Sequence, residues 1–376
     1  MDGLAAFVDA MYECERKEKL IREFEEDQFL PENGAHTMRE VCQILLNISC
    51  LQEEGRFPSF RVCFIRPDSD FLRAYIYSHI LLFKTPLEFN TRKIHKLAPA
   101  LNPFRNYLIV DITEKPFKAV GVMASYTDWE KIRTGEREKG NRMPCIPNIL
   151  VKGPGELDAC FGESPIVNYT AGSCVFFRME SFSSTLVAEK LKRDTLVSDR
   201  ERYQILNMIL WRVINYGHGA AVLIVPDEES CRKYVDLKYS MSSDYLFGNG
   251  YESGLPVSKA RNKDLVTYAD FVAKLTSVDG SVILTKNFDL IGFGAETLVD
   301  EMGSKHPDMC FIQYDDTEDT SRQFKDNGMR HRAAYRFCSA VEESVAFIVS
   351  QDRFVEACTK HDGKVYVYDN ISLPLY

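Results

Sequence analysis

The sequence predicts an α/β protein in two parts: a C-terminal mixed β-sheet flanked by helices over residues 191–376, preceded by a separate α+β domain over residues 1–190. Three observations predict it. At 376 residues with 45% hydrophobic side chains, the chain is too long for one ordinary core and apolar enough to bury two. Between about 58 and 190 the text runs in short apolar or alternating stretches between turn signals, whereas from 191 helical, polar segments alternate with apolar strands. Strands alternating with helices mark a sheet whose faces are covered.

Taken in order, residues 13–27 (ECERKEKLIREFEED) set Leu20, Ile21 and Phe24 at helical spacing in a dense field of charge, which predicts a surface helix. RVCFI, NYLIVDI, AVGVMASY, NILVKG and SCVFFRM read as strands separated by PDSD, GPGE and TAGS, and GPGELDACFGES (153–164) as a glycine-bearing hairpin. Ser198-Asp199-Arg200-Glu201 has the form of a capping box; it opens a helix carrying Ile205, Met208, Ile209, Leu210, Trp211 and Ile214, with Gly217 as its C-cap. AAVLIV (220–225) is a buried strand, and Leu265, Tyr268, Val272 and Leu275 share one face of a helix over 263–277. Strands SVILT (281–285) and FDLIGFG follow, then a polar insertion over about 300–327, a helix over 331–343, and strands VAFIVS and KVYVYD. No internal repeat is visible in the letters.

A formal net charge of −9 and a pI near 5.5 give no general electrostatic attraction to nucleic acid or to an anionic membrane, so neither is expected as a partner. Eleven cysteines, odd in number and without a Cys-x-x-Cys pair, argue against zinc and disulfides and for a reducing compartment. No basic leader followed by an apolar run opens the chain, and no stretch reaches about 18 apolar residues; the cytoplasm is the plain expectation. His36, His79 and His95 are scattered singletons, read as core or surface residues.

In this acidic chain, Asn327 to Cys338 holds three arginines and a histidine. Ala334, Phe337, Cys338 and Val341 fall at i, i+3, i+4 and i+7 and make a buried helical face. That phase puts Arg330, His331 and Arg332 in the first turn, where free N–H groups and the helix dipole favour anions. Cations there are unfavourable by a few tenths of a kcal/mol unless a polyanion is bound. The arginine forks and the directional histidine donor then describe a triphosphate clamp. Asp279-Gly280 stands at a helix-to-strand junction, a carboxylate at a sheet edge with a glycine that permits close backbone approach by a ligand.

These residues resemble the two signatures of the diadenylate cyclase catalytic domain, Asp-Gly-Ala at a strand start and Gly-Thr-Arg-His-Arg-Ala-Ala opening a helix. Here they stand as Asp279-Gly280-Ser281 and Gly328-Met329-Arg330-His331-Arg332-Ala333-Ala334. NFDLIGFGAETL resembles the family's strand ending in an adenine-contacting leucine, here Leu298, and FIVSQD the strand with a nucleotide-contacting serine, here Ser350. GHGAAVLIVPD (217–227) is similar as well, so the resemblance covers about 190–375. Ser281 replaces alanine, Met329 replaces threonine, and Gln351-Asp352 stands where Glu-Glu is commoner.

The resemblance implies an enzyme that condenses two ATP into cyclic di-AMP and releases two pyrophosphates, with two such domains face to face in a homodimer or higher homo-oligomer. Asp279 would bind a divalent metal, Mg or Mn, with Asp352 as a further ligand, and help deprotonate the attacking hydroxyl. Arg330, His331 and Arg332 would hold the phosphates. Leu298 would pack on adenine, and Gly280, Ser281, Gly328, Met329, Ala333 and Ser350 would line the nucleotide. Residues 1–190 occupy the place of an unrelated N-terminal domain that senses an unidentified small-molecule or protein signal. Three rivals stand beside this reading. One is a catalytically silent nucleotide-binding module and another a related cyclase with a different oligonucleotide product. The third is a scaffold whose basic turn pairs with the acidic stretch DDTEDTS (315–321).

Overall fold

The computed structural model describes residues 2–19, 30, 34–53, 55–65, 80–103, 106–124, 146–162, 164–177, 185–191, 199–241, 259–298, 306–351 and 354–371. The chain divides into two compact units, Met1–Phe177 and Arg178–Tyr376. The sequence suggests a boundary near 190. The division comes earlier because Val187 and Leu191 are buried in the core of the second unit.

In the first unit the order is α1 (Gly3–Lys19), α2 (Ala35–Ser49), β1 (Phe60–Phe64), β2 (Ile80–Glu88), α3 (Thr91–Leu97), β3 (Asn106–Asp111), β4 (Lys118–Ala124), β5 (Pro147–Gly153), β6 (Glu156–Phe161), β7 (Ser164–Thr170) and β8 (Ser173–Phe176). They build one eight-stranded sheet, β2-β4-β3-β1-β5-β6-β7-β8. Phe7, Val8 and Met11 of α1, Val41 and Leu45 of α2 and Ile94 of α3 join Phe60, Val62 and Ile149 in a core on one face. Cys63, Tyr107, Ile109 and Met123 make a smaller cluster on the other, as strand alternation requires. The first helix starts well before residue 13, because its inner face is Phe7, Val8 and Met11; Leu20, Ile21 and Phe24 lie outside the described residues. The segment 153–164 holds strand β6 between two turns, with Gly155 (φ 70) and Gly162 (φ 56) in left-handed backbone.

The second unit runs α4 (Leu186–Leu191), α5 (Asp199–Tyr216), β9 (Ala220–Val225), α6 (Glu228–Cys231), β10 (Val235–Ser240), α7 (Lys259–Leu275), β11 (Ser281–Thr285), β12 (Leu290–Thr297), β13 (Met309–Ile312), α8 (Met329–Ala340), β14 (Val345–Val349), β15 (Val355–His361) and β16 (Lys364–Tyr368). Its sheet is β10-β12-β11-β9-β14-β15-β16-β13. One face is covered by α4, α5 and α7 through residues such as Leu191, Ile209 and Val272. The other is covered by α8 through Ala334, Tyr335, Phe337 and Cys338, all buried. Gly217 (φ 72) ends α5 as expected, its N–H reaching the carbonyl of Ile214 at 3.1 Å; Ser198 of the expected capping box lies outside the described residues. Helix α8 stops at Ala340 rather than 343, since Val341 is already extended and Glu343 turns left-handed (φ 60) into β14. The polar insertion conceals β13, which pairs in parallel with β16.

Each unit has the same arrangement of seven strands. The first four enter as β2-β4-β3-β1 and β10-β12-β11-β9, the next three follow as β5-β6-β7 and β14-β15-β16. Within these seven, the parallel contacts are β1 with β3 and β9 with β11. A helix precedes each first strand (α2, α5) and each third strand (α3, α7). The first unit is therefore not unrelated in fold to the second, although no repeat shows in the letters. The eighth strand differs: β8 is antiparallel to β7, and β13 is parallel to β16.

Candidate functional site

Pairing register puts the expected site residues on one sheet edge. Ser281 of β11 lies beside Ala221 of β9, so Asp279 and Gly219, each two residues earlier, precede the two parallel strands at the same edge. Ala220 lies beside Val349 of antiparallel β14, so one step further Ser350 is level with Gly219 on its other side. Beyond Asp279 comes the end of β12, where the Leu298 N–H bonds the Tyr234 carbonyl at 2.8 Å. Ser350, Gly219, Asp279 and Leu298 thus gather at one edge of the sheet, a row of chain positions just outside the paired residues of β14, β9, β11 and β12. The row lies at the amino ends of β9 and β11, opposite to the carboxyl-end crevice of open parallel sheets. Strand β14 runs the other way and brings its carboxyl end to the same edge.

Helix α8 delivers the basic turn to this row. Its N-cap Gly328 (φ −63, ψ 163) carries no side-chain cap, and the first helical bond is Arg332 N–H to Gly328 carbonyl at 3.0 Å. A Cβ built on Gly219 would lie 2.3 Å from Arg330 Nη1 and 3.2 Å from its Cζ, so the guanidinium rests on the Gly219 backbone. Arg330 is exposed, His331, Arg332 and Ala333 half-buried, and Met329 80% exposed at the start of the helix. Among the described residues neither Arg330 nor Arg332 makes an ion pair. Asp315 and Asp319 of the acidic stretch instead accept local N–H bonds from Thr317 (3.2 Å) and Ser321 (2.9 Å).

Other expected residues have local structural roles as well. Gly280 (φ 110) is packed against its own sheet: an added Cβ would lie 2.6 Å from Gly294 C and 2.9 Å from Ala295 N. The bulge of β12 against it already requires a glycine there. Ser350 closes the turn into β15, its Oγ accepting the Phe354 N–H at 3.1 Å. Ser281 is half-buried at the start of β11, and Asp279 is exposed. Asp352 lies outside the described residues. Among the described residues no group of three or more His, Cys, Asp or Glu side chains could hold a metal ion. Asp279 offers one carboxylate at the edge, and a hard cation such as Mg²⁺ is commonly held by one or two carboxylates together with ligand oxygens.

Behind the basic turn lies a network that sequence reasoning missed. Arg322 donates from Nη1 to both Asp369 oxygens at 2.6 Å and from Nη2 to Glu356 at 2.8 Å and Tyr335 at 3.2 Å. Its Nε donates to Asn327 at 3.0 Å, and Phe311 lies 4.4 Å beneath the guanidinium. Tyr335 in turn donates to Glu356. Burial, then the Arg322 and Arg330 charges, hold the His331 imidazole below its ordinary pKa. Burial and the neighbouring Glu356 push the Asp369 carboxyl up to about 7 against the opposing pull of Arg322. Arg322 itself is held more firmly protonated: burial works against its charge, but Glu356 and Asp369 outweigh it.

Residues 26–124 match the family of the probable sensor domain DACNV. The matched range includes the first four strands of the first unit. No curated protein matches the chain. Among solved structures, a hypothetical membrane spanning protein from Bacillus cereus is 15% identical, with 44% of this chain and 61% of that one covered and a TM-score of 0.25. DacA from Staphylococcus aureus, a double mutant, is 17% identical over 46% of this chain and 88% of that one, with a TM-score of 0.26. Neither likeness is close enough to bear on activity. Among the described residues no helix is long and apolar enough to cross a membrane, and the ten described cysteines are free.

Gly219, Arg322 and Tyr335 therefore belong with the site, although of these only Gly219 falls in a stretch quoted for the resemblance, GHGAAVLIVPD, and none was named as a site residue. The available signal for Gly219 was its place directly before the AAVLIV strand; Arg322, one cation beside Lys305 and Lys325 in the polar insertion, had none.

Proposed function

We propose that the second unit binds ATP at this edge and condenses two ATP into cyclic di-AMP, releasing two pyrophosphates, at a site shared by two face-to-face copies. The observation that carries the reading is the Arg330 guanidinium lying on Gly219, in the row that holds Asp279, Ser350 and Leu298. Each 3′-hydroxyl attacks the α-phosphate of the opposite nucleotide; the new O–P bond forms, the α–β bridge breaks, and pyrophosphate leaves. Asp279 accepts the hydroxyl proton. Arg330 and Arg332 donate to the phosphate oxygens as charge spreads over them. His331, poised neutral, donates one hydrogen bond and takes up a proton when the polyanion arrives. Leu298 packs on adenine, and Gly280, Ser281, Gly328, Met329, Ala333 and Ser350 line the nucleotide.

A divalent cation, Mg²⁺ or Mn²⁺, held by Asp279 and triphosphate oxygens would supply charge neutralisation at the phosphates. A single copy holds one nucleotide and half of the reacting pair, so assembly of two copies is part of catalysis. The first unit, matching a sensor-domain family, takes the regulatory role toward a small-molecule or protein signal. The free cysteines and acidic charge fit a cytoplasmic protein.

A silent nucleotide-binding module is the second reading, favoured by the Ser350 hydroxyl being engaged by Phe354. Incubating the full chain with each NTP and Mg²⁺ or Mn²⁺ and identifying products by mass separates them. Cyclic di-AMP supports the cyclase; bound ATP without product supports the silent module; another cyclic or linear oligonucleotide replaces the product assignment.

A further inference from the structure

We propose that Arg322 is the positioning residue that locks the Arg330–His331–Arg332 turn onto the sheet edge. The repeated fold supplies an internal comparison. Setting Phe60 of β1 against Ala220 of β9 brings the pairings into step: Arg61 lies beside Tyr107 and Leu150, and Ala221 beside Ser281 and Ile348. Leu150 then faces Asp158 as Ile348 faces Glu356. Asp158 faces Asn168, and since Ala357 faces Tyr368, Glu356 comes level with Asp369. Asp158 thus stands where Glu356 stands, Asn168 where Asp369 stands, and Lys152 where Ser350 stands.

Both units put a cation on the carboxylate of the sixth strand in this arrangement, and they deliver it differently. In the first unit Lys152 reaches Asp158 at 3.3 Å and Glu156 at 2.8 Å from the adjacent strand β5, so this cation is delivered from strand to strand. In the second unit Ser350 occupies that position, and the cation comes from the segment 298–344 that carries α8. The corresponding segment of the first unit is the much shorter 125–146. Neutralising Glu356 needs only a point charge. Arg322 does more, because its planar fork of donors grips four side chains at once.

Two of those four belong to the clamp rather than to the sheet. Asn327 directly precedes the N-cap Gly328, and it is itself fastened through Nδ2 to the Gln323 carbonyl at 2.9 Å. Tyr335 sits in the second turn of α8. The other two, Glu356 on β15 and Asp369 after β16, belong to the sheet. Arg322 therefore joins both ends of the basic turn to the strands, and without contacting the row of edge residues it sets where Arg330 falls on Gly219. A wrongly placed turn loses phosphate contact even when every clamp side chain is present.

The kinetic part of this inference rests on the clamp holding ATP; the structural part does not. The test uses the full chain with Arg322→Ala, Arg322→Lys and, should the first not fold, Asn327→Ala, which keeps the ion pairs and removes the grip on the loop. Hydrogen exchange is followed for peptides covering 327–338 and 220–225, together with Tm and with KM and kcat for ATP. We expect exchange at 327–338 to quicken by about tenfold or more in all three while 220–225 stays protected, and KM to rise by about tenfold. Lysine restores Tm toward wild type but not KM, because one ammonium cannot span the four partners. Wild-type exchange and KM in Arg322→Lys overturn the proposal. So does Arg322→Ala quickening exchange evenly over the second unit with KM unchanged, the signature of a merely structural role. A wild-type chain that neither binds nor converts ATP removes the proposed function, and the exchange pattern at 327–338 still decides the role of Arg322.

Discussion

A methyl group at Gly219 separates the catalytic reading from plain stability. Built on the backbone, its Cβ lies 2.3 Å from Arg330 Nη1, whereas ordinary contact begins at 3.4 Å, so the guanidinium must retreat by about 1 Å. The obstructing atom is the far end of a flexible, exposed side chain, and Gly219 is not in left-handed backbone. Gly219→Ala should then leave the fold intact or raise its stability by about 0.4–1 kcal/mol through the less free unfolded chain. A misplacement of about 1 Å in a phosphate-holding group lowers the rate by about 100-fold, which corresponds to about 2.7 kcal/mol of barrier. The assay is the initial rate of cyclic di-AMP formation, read by chromatography with mass detection, beside a thermal melt of the same sample. An unchanged melt with a rate within about twofold of wild type would refute the placement of Arg330 at the reacting phosphates.

Four further outcomes are expected. Asp279→Ala should lower the rate by at least about 100-fold while Tm barely moves, because the side chain is exposed; a wild-type rate removes Asp279 as the base. Gly280→Ala places a side chain at φ 110 and 2.6 Å from the Gly294 backbone, where nothing flexible can yield, so calorimetry should show Tm falling by about 5 °C. Asp369, with its folded pKa raised to about 7 by burial and Glu356, holds a proton that the unfolded chain releases near pH 4. The stability contributed by that proton is present below about pH 4 and lost as pH rises through about 7, so melts between pH 5 and 8 should show a decline that Asp369→Asn flattens. Calorimetric titration with a non-hydrolysable ATP analogue should give one site per chain, since the segment carrying Arg322 and α8 belongs to the second unit; two sites would mean that the first unit binds nucleotide as well.

Local pattern made much of the second unit legible. AAVLIV and SVILT coincide with β9 and β11, and the phase of residues 334–341 correctly separated the buried face of α8 from its basic turn. Elements were missed where burial is one-sided or brief. Strand β13 has four residues inside a polar stretch, and β15 (VEACTKH) buries Glu356 and Thr359 among its apolar residues and ends in half-buried Lys360 and His361, so neither has a strong apolar period. The relation between the two units was illegible for a different reason. Strand order and pairing sense can persist while every side chain on them is replaced, because a sheet requires an apolar face rather than particular residues.

The sequence by itself determined the α/β class, the two-part organisation, and the set of residues able to meet a polyanion, because periodicity and side-chain chemistry are local properties. Only the tertiary structure decided that these residues share the amino-end edge of β9 and β11, since register between distant strands is set by pairing and not by neighbours in the chain. It also decided what supports them. Arg322, Asn327, Tyr335, Glu356 and Asp369 lie on separate segments of the second unit, and they become one network because a buried charge must be satisfied by whichever donors and acceptors the fold brings within reach.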